Sequence, residues 1–385
     1  MVWVYEFMAS YIDIFFLMIG FVVIALASKQ IGEFFTRAEL PLISGFLLTG
    51  ILVGPYVLGL ISQETTEKLR FIDEISLAVI AFAAGSELYL KELKNHFKNI
   101  AWITVGLVVS TFTLGSLTVF MLSDFIPFMK TMPVASRIAV SILAGAILVA
   151  RSPSSAMAIV NELRAKGPFT QTVLGVTMVT DVVVITLFAA NSSVADALLS
   201  GIRPDLTIIL LLGSEFTLSL IMGYTLAKAL QLVISGRMKG IVKICITLLA
   251  GYVVFALSAA IRIFTHELMS VEVLLEPLLI CMLGGFIVAN FSSYRQEFSK
   301  ILREMEPFVY VAFFTLTGAS LSFDVLAATW PVALIIFFVR MVSIFVGAFS
   351  VGVFAGAPMN HNRIAWMAYI TQAGVSLGLA KQVAV

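Results

Sequence analysis

The chain has 385 residues, of which 60% are hydrophobic and 12% are charged, and its formal net charge at pH 7 is +1. With a mean hydropathy of +1.04, it has too little polar surface for a water-soluble globule of this length. Its nearly neutral charge argues against nucleic acid as a partner. We therefore expect an integral membrane protein in contact with the lipid bilayer.

The apolar residues fall into continuous stretches of the length that one helix needs to cross a bilayer, about 20 residues. Apolar and polar residues do not alternate within these stretches, which argues against a transmembrane barrel. The sequence therefore predicts an all-α polytopic membrane protein with short polar connections. We expect twelve spans, at about residues 9–28, 38–60, 72–90, 99–122, 138–160, 168–190, 206–232, 240–264, 271–291, 307–323, 329–356 and 363–385.

Lys and Arg are concentrated in the connections that follow the odd-numbered spans. Because cytoplasmic loops carry an excess of these residues, the N-terminus is expected outside. The first residues lack the basic region and the cleavage site of a signal peptide, so the first span is expected to remain in the protein. A plasma or inner membrane is the favoured location, with an organelle as the alternative.

The fifth span contains the sequence ILVARSPSSAMAIV, with Arg151, Ser152, Pro153, Ser154 and Ser155 at its centre. Proline removes a backbone donor and clashes with the preceding turn, and serine hydroxyls can satisfy the carbonyl groups that this leaves. The sequence therefore predicts a kinked or broken helix. A lone proline often marks only a kink, but irregular backbone at membrane depth lines cavities in transporters.

The sixth span carries one carboxylate, Asp181, in the run TMVTDVVVIT, near the expected bilayer midplane. A buried ionisable group in a membrane costs several kcal/mol and is seldom kept without use. One interpretation is a structural acid paired with a basic residue on a neighbouring helix. The other is an ion and proton site, in which Asp181 binds H⁺ and a metal cation in alternation.

The eleventh span places Arg340 near its centre, in VALIIFFVRMVSIFVG. Because Arg keeps its proton, it needs an anionic partner, water or helix-end carbonyl groups. Asp181 is the expected partner. The alternatives are a different acid or a role in capping a broken helix, and both also place Arg340 in the protein interior.

The last span contains YITQAGVSLGLA, in which Thr371, Gln372, Gly374 and Ser376 form a second polar, glycine-containing segment. By itself this segment is equally consistent with close helix packing. Two interrupted helices at corresponding places of the two halves, however, point to an inverted-repeat transporter whose site lies where they cross. We therefore expect an inverted-repeat fold with two crossed discontinuous helices.

The sequence offers no pattern for a metal centre or a hydrolase. Its three histidines are far apart and lack metal-ligand spacing. An intramembrane hydrolase would need a histidine near the serines or a second aspartate in mid-span, and neither occurs. We expect no metal, no cofactor and no enzymatic activity.

Several runs together resemble the monovalent cation/proton antiporter superfamily, and most closely its second branch of sodium or potassium/proton exchangers. They are PLISGFLLTGILVGP, FAAGSEL, RSPSSAMAIVNEL followed by TDVVV, EPFVYVAFFTLTGASLSF and TQAGVSLGLA. The resemblance implies one transmembrane domain over residues 1–385, a thirteen-helix plan of two inverted repeats, and a homodimer. It implies a first repeat at about 1–190, a linker helix at 206–232, and a second repeat at 240–385 that lacks its last helix.

By this resemblance, the family's ion-binding carboxylate falls on Asp181 and the position before it on Thr180. Electrogenic relatives have Asp at that preceding position, electroneutral ones often Asn, and potassium exchangers Gln. Threonine matches none of these, so the choice between Na⁺ and K⁺ stays open. The family's basic residue falls on Arg340, and its two unwound segments fall on residues 151–155 and about 371–376.

Arg151 stands where the resemblance implies Thr or Ser. A permanent cation there could repel the substrate, or Glu87, the acid of FAAGSEL, could neutralise it. The expected function is exchange of Na⁺ or K⁺ for H⁺ by alternating access, electroneutral and one-for-one. Asp181 would bind the ion, with oxygen ligands from Thr180, Ser152, Ser154 and unwound carbonyl groups.

Two other functions stay open at this point. A sodium-coupled symporter of organic solutes shares the design of crossed broken helices, but its cavity should be larger. A non-transporting sensor or a channel could keep the fold while Arg151 blocks exchange. Pairing of Arg151 with Asp181 in a sealed site would support the sensor, and a continuous pore would support the channel.

Overall fold

The computed structural model describes residues 2–37, 40, 42–93, 97–151, 156, 160, 165–199, 206–269, 275–354, 359–372 and 374–383. Within these residues all regular elements are helices, which confirms the predicted all-α fold. The α-helices are α1 (Val2–Arg37), α2 (Leu42–Val53), α3 (Gln63–Lys68), α4 (Arg70–Glu87), α5 (Leu90–Leu93), α6 (Phe97–Met121), α7 (Val134–Val149), α8 (Pro168–Leu199), α9 (Leu206–Ser235), α10 (Gly240–Met269), α11 (Pro277–Phe291), α12 (Arg295–Ala319), α13 (Phe323–Phe354), α14 (Met359–Ala365) and α15 (Gly374–Val383). Two 3₁₀ turns lie at Ser123–Phe125 and Trp366–Tyr369.

Six helices in the described part of the chain are long and apolar enough to cross a membrane, namely α1, α6, α8, α9, α10 and α13. Three shorter apolar helices, α2, α7 and α11, accompany them. Large apolar side chains on the outer faces are exposed, for example Leu232 on α9 and Ile263 on α10. This distribution suits a polytopic protein whose outer surface contacts lipid.

Helix α12 begins earlier than its predicted span, at Arg295 instead of near residue 307. Its first turns, RQEFSKILREME, are too polar to register as an apolar run. One face of these turns nevertheless buries Phe298, Ile301 and Leu302. This segment is therefore amphipathic, with its apolar stripe facing the protein and its charges facing outward.

Helix α4 lies at the centre of the fold. Every residue from Ser76 to Ser86 is buried, and the helix packs against α8, α10, α11, α12 and α15. A helix that is apolar on all sides is buried on all sides. Its C-terminal end brings Glu87 to the interior.

The crossing of α4 and α11 is so close that it requires two glycines. A Cβ atom at Gly85 would lie 1.9 Å from the carbonyl oxygen of Met282, and one at Gly285 would lie 2.3 Å from the carbonyl oxygen of Phe82. Both obstacles are backbone atoms of packed helices, which cannot move aside without shifting the helix. This close crossing therefore holds the C-terminal end of α4, where Glu87 lies, in place against α11.

We expect Gly85→Ala to destabilise the protein by about 1–3 kcal/mol or more, because the added methyl group overpacks this crossing. The measurement is the Tm of the purified protein in detergent. Gly20→Ala in α1 is the matched control, since nothing lies within 4 Å of its Cβ position. Equal Tm values for the two variants would contradict the assigned crossing.

Candidate functional site

The first interruption follows α7, which ends at Val149. Ala150 and Arg151 continue in non-helical conformation. The last carbonyl groups of a helix have no partner within it and must find donors elsewhere. The predicted site residues Ser152, Pro153, Ser154 and Ser155 lie outside the described residues.

The second interruption lies between the 3₁₀ turn that ends at Tyr369 and helix α15. Ile370, Thr371 and Gln372 are non-helical, and α15 begins at Gly374. The Thr371 hydroxyl is buried and has no hydrogen-bond partner among the described residues, whereas Gln372 is exposed. Ser376, also predicted for this segment, is buried in the first turns of α15.

Arg340 joins the two interruptions. It is buried in α13, and its guanidinium donates from Nε to the Leu148 carbonyl oxygen at 3.0 Å and from Nη2 to the Ala150 carbonyl oxygen at 3.1 Å. Its Nη1 donates to the Ile370 carbonyl oxygen at 2.8 Å. The guanidinium therefore supplies donors to the carbonyl ends of both broken segments, where helix dipoles place partial negative charge.

The expected pairing of Arg340 with Asp181 is therefore wrong. Among the described residues the Arg340 guanidinium makes no ion pair with a carboxylate, and the donors named above go to backbone carbonyl groups. The alternative that Arg340 caps a broken helix is the one that the structure supports. Arg340 bonds to backbone carbonyl groups because two helix ends converge on this side chain. Their carbonyl groups would otherwise lack donors.

Arg151 is completely buried. Its guanidinium donates through Nη1 to the Val149 carbonyl oxygen and through Nη2 to Thr111 Oγ1, the second at 3.3 Å. It also lies near enough to Asp181 and Tyr369 to interact with them electrostatically. Two buried arginines thus share the end of α7, since Arg340 occupies the carbonyl groups on either side of Val149.

Asp181 lies in α8, which begins at Pro168 after Gly167. Gly167 has a φ of +131°, a conformation that favours glycine, and proline suits the first position of a helix. Asp181 is only 2% exposed, and its Oδ1 has no hydrogen-bond partner among the described residues. The backbone N–H of Arg151 faces this carboxylate.

Thr180 is fully buried beside Asp181. Its hydroxyl donates to the Val176 carbonyl oxygen at 2.6 Å. The proton of the hydroxyl is therefore engaged, while the oxygen keeps lone pairs that can accept another contact. Asp181 thus presents its carboxylate beside the first interruption, where the backbone N–H of Arg151 faces it.

The carboxyl group of Glu87 lies near that of Asp181 instead of pairing with Arg151. The carboxyl groups of Glu87 and Asp181 are close enough to interact electrostatically, and Glu87 interacts in the same way with Glu306 on α12. No ion pair joins Glu87 to Arg151 in the part of the chain that the structure describes. Neutralisation of Arg151 by Glu87, one of the two alternatives that the sequence left open, is therefore not supported by an ion pair, because the guanidinium bonds to acceptors on α6 and α7.

Comparison with known proteins identifies the family of this chain. A family model described as "Sodium/hydrogen exchanger, transmembrane" matches residues 19–384. The chain belongs to the sodium/hydrogen exchanger family. This confirms the family resemblance, and it is a family of transporters and not of enzymes.

Two relatives of this exchanger-family chain come from Bacillus cereus. One, a probable Na⁺/H⁺ antiporter named GerT, is 34% identical over 97 residues, which is 25% of each chain. The other, the Na⁺/H⁺-K⁺ antiporter GerN, is 26% identical over 167 residues, 43% of this chain and 40% of that protein. The matched stretches thus span between a quarter and two fifths of the length of these relatives.

A solved structure shares the fold of this family member. It is the sodium proton antiporter MjNhaP1 from Methanocaldococcus jannaschii, with a TM-score of 0.72 and 17% sequence identity over 96% of this chain and 86% of that one. This likeness confirms the predicted polytopic antiporter fold. The division into two repeats and a linker helix stays a prediction.

Thr111 and Tyr369 could not be recognised as site residues from the sequence. Thr111 is a buried hydroxyl in an apolar helix, like many others in this chain, and nothing in its neighbouring residues indicates a contact with Arg151. Tyr369 adjoins the second interruption, so the run YITQAG carried a weak signal for it. Both contacts depend on α6, α7 and the 3₁₀ turn meeting in space.

Proposed function

We propose that this chain exchanges one monovalent cation, Na⁺ or K⁺, for one H⁺ across a membrane by alternating access. The observation that carries the proposal is Asp181, a buried carboxylate whose Oδ1 has no donor among the described residues. A buried charge is costly unless it is balanced. Either a proton or a cation supplies the single positive charge that this carboxylate needs.

The ligands proposed for the cation are oxygen atoms, which hard cations prefer. Asp181 Oδ1 and the Thr180 hydroxyl oxygen supply two of them, since the Thr180 proton is engaged with Val176. Carbonyl groups of the interruptions and the hydroxyls of Ser152 and Ser154 are the further candidates. Both Na⁺ and K⁺ fit this chemistry, and the name of the relative GerN mentions both ions.

Electroneutral exchange follows from charge balance at Asp181. The protonated and the cation-bound carboxylate carry the same charge, and Arg151 and Arg340 stay positive in both states. Because Glu87 lies near Asp181, the proposal also requires Glu87 to keep one protonation state throughout the cycle. A second titrating carboxylate would make the exchange electrogenic.

The test is transport in proteoliposomes that carry a pH gradient, with Na⁺, K⁺ and Li⁺ added in turn and the membrane current recorded in parallel. We expect at least one cation to dissipate the gradient without a current that scales with turnover. Glu87→Gln should keep this stoichiometry. A current that scales with turnover would contradict electroneutral exchange, and no response to any cation would contradict the exchange itself.

An ion pair joins α4 to α15 and would form or break during the proposed alternating access. Lys381 Nζ lies 2.7 Å from Asp73 Oδ2, and both side chains are mostly buried. Helix α15 belongs to the second interrupted segment, whereas α4 is continuous. If the interrupted segments move relative to α4 during transport, this pair holds in one state and breaks in the other.

We therefore expect the double variant Asp73→Asn/Lys381→Met to change the KM for the cation unequally on the two sides of the membrane. An ion pair of this kind that is present in one state only would change the equilibrium constant between the two access states by about 3–10-fold. Transport measured with the cation on one side and then the other gives the two KM values. Equal changes on both sides would contradict a role of this pair in alternating access.

The remaining features of the proposal rest on the sequence and on the family resemblance. They are the homodimer, the N-terminus on the outer side, and the plasma or inner membrane as location. The sensor alternative is not favoured, since the Arg151 guanidinium bonds to Val149 and Thr111 and not to Asp181.

A further inference from the structure

A permanent cation stands beside the proposed exchange site. Arg151 is completely buried and close enough to Asp181 to interact with it. A buried arginine and a buried carboxylate that lie close together commonly form a hydrogen-bonded ion pair. Such a pair would occupy the carboxylate that exchange requires.

The Arg151 guanidinium instead bonds to the Val149 carbonyl oxygen and to Thr111 Oγ1. Asp181 Oδ1 meanwhile has no donor among the described residues. The carbonyl groups on either side of Val149, those of Leu148 and Ala150, are already taken by Arg340. Thr111 Oγ1 is the acceptor that the second nitrogen of Arg151 contacts, at 3.3 Å.

Thr111 differs from Thr113 and Thr118 of the same helix. The hydroxyls of Thr113 and Thr118 turn back to carbonyl groups four residues earlier, those of Val109 and Leu114. This is the usual arrangement for a threonine in an apolar helix. The Thr111 hydroxyl contacts the guanidinium across the α6–α7 interface.

We propose that Thr111 is a positioning residue, which holds the Arg151 guanidinium away from Asp181 so that the carboxylate stays available to H⁺ and to the cation. The inference rests on the proposed exchange function and deepens it. The inference also gives Arg151 a role. Its guanidinium bonds to the end of α7 and therefore does not block the site.

Replacement of Thr111 by valine tests this directly. Valine keeps the shape of threonine but offers no acceptor. The guanidinium would then need a new acceptor, and the Asp181 carboxylate, with which it already interacts electrostatically, offers Oδ1, an atom without a partner among the described residues. We expect Thr111→Val to lower kcat/KM for exchange by about tenfold or more, chiefly through the KM for the cation, because the guanidinium competes with it.

Two variants control for packing. Thr104 lies two helical turns earlier on α6, is equally buried, and its hydroxyl has no partner among the described residues. Thr104→Val is therefore the same substitution without the contact, and its exchange should stay within about twofold of the wild type. Thr111→Ser keeps the acceptor and should recover most of the loss. Equal kcat/KM values for Thr111→Val and Thr104→Val would overturn the proposal.

The background Arg151→Thr separates positioning from a direct role of Thr111. Without Arg151, Thr111 has no guanidinium to position. Adding Thr111→Val in this background should therefore change kcat/KM by no more than about twofold. A loss in this background as large as in the wild type would overturn the proposal.

A cryo-EM structure of Thr111→Val tests the positioning without any transport. We expect the guanidinium to lie within about 4 Å of the Asp181 carboxylate, the distance of an ion pair. A guanidinium that stays on the Val149 carbonyl group would overturn the inference. If the wild type fails to exchange any cation but the guanidinium moves as expected, the proposed function fails while the positioning stands.

Discussion

We expect Asp181→Asn to reduce cation-driven proton movement by at least about 100-fold, while the protein keeps its fold. The amide has nearly the shape of the carboxylate, but it neither takes up a proton nor supplies the negative charge that offsets dehydration of a cation. Asp181 is 2% exposed and its Oδ1 lacks a donor among the described residues. Removing a buried charge that lacks an ion-pair partner among the described residues should leave the Tm unchanged or raise it.

The measurement is the dissipation of a pH gradient in proteoliposomes, together with the Tm in detergent. Asp324→Asn is the matched control, because Asp324 lies exposed in the first turn of α13 and should keep wild-type exchange. Exchange by Asp181→Asn at the rate of this control would refute the assignment of the carboxylate. A large fall in Tm would instead indicate a structural acid.

Arg340→Met is expected to abolish exchange and to destabilise the protein as well. Methionine fills much of the volume but offers no donor, so the carbonyl groups of Leu148, Ala150 and Ile370 lose their partner. A buried group left without its hydrogen bond costs about 1–3 kcal/mol. The two interrupted segments would also lose the side chain that joins them.

Thermal unfolding and exchange, measured on the same preparation, test this prediction. Arg363→Met is the control, since Arg363 is exposed in α14 and should show neither effect. Arg340→Lys should be intermediate, because a single ammonium group cannot reproduce the geometry of the guanidinium fork. A stable Arg340→Met protein with normal exchange would show that the interruptions do not depend on this contact.

The sequence was most informative where polar residues interrupt apolar runs. Asp181, Arg340 and the segment around Arg151 could each be recognised as buried groups that need a reason, because charge inside a membrane is costly wherever the fold places it. The non-helical residues 370–372 likewise follow from the polar, glycine-containing run YITQAG. These inferences needed only composition and position along a span.

The partners of these residues could not be predicted, because they depend on distances between helices. Asp181 was the natural partner for Arg340 as long as only side chains were considered. The actual acceptors are backbone carbonyl groups, which every residue has and which therefore leave no mark in a sequence. Thr111 was missed for a similar reason, since its contact with Arg151 joins residues 40 positions apart.

The start of α12 shows a second limit. Apolar runs alone place the start of this helix near residue 307, whereas the helix starts at Arg295. Its first turns mix charges with apolar residues at helical spacing, and such a pattern belongs to an amphipathic helix that hydropathy alone does not detect. Glu306 lies in this part of the helix and interacts with Glu87.

The central claim is that one buried carboxylate holds either a proton or a cation. Proton release on cation binding tests it most directly, in detergent-solubilised protein at weak buffering, with bound cation counted on the same sample. We expect one proton to be released for each Na⁺ or K⁺ that the wild type binds, and neither binding nor release by Asp181→Asn. Cation binding without proton release, or binding that survives in Asp181→Asn, would contradict it.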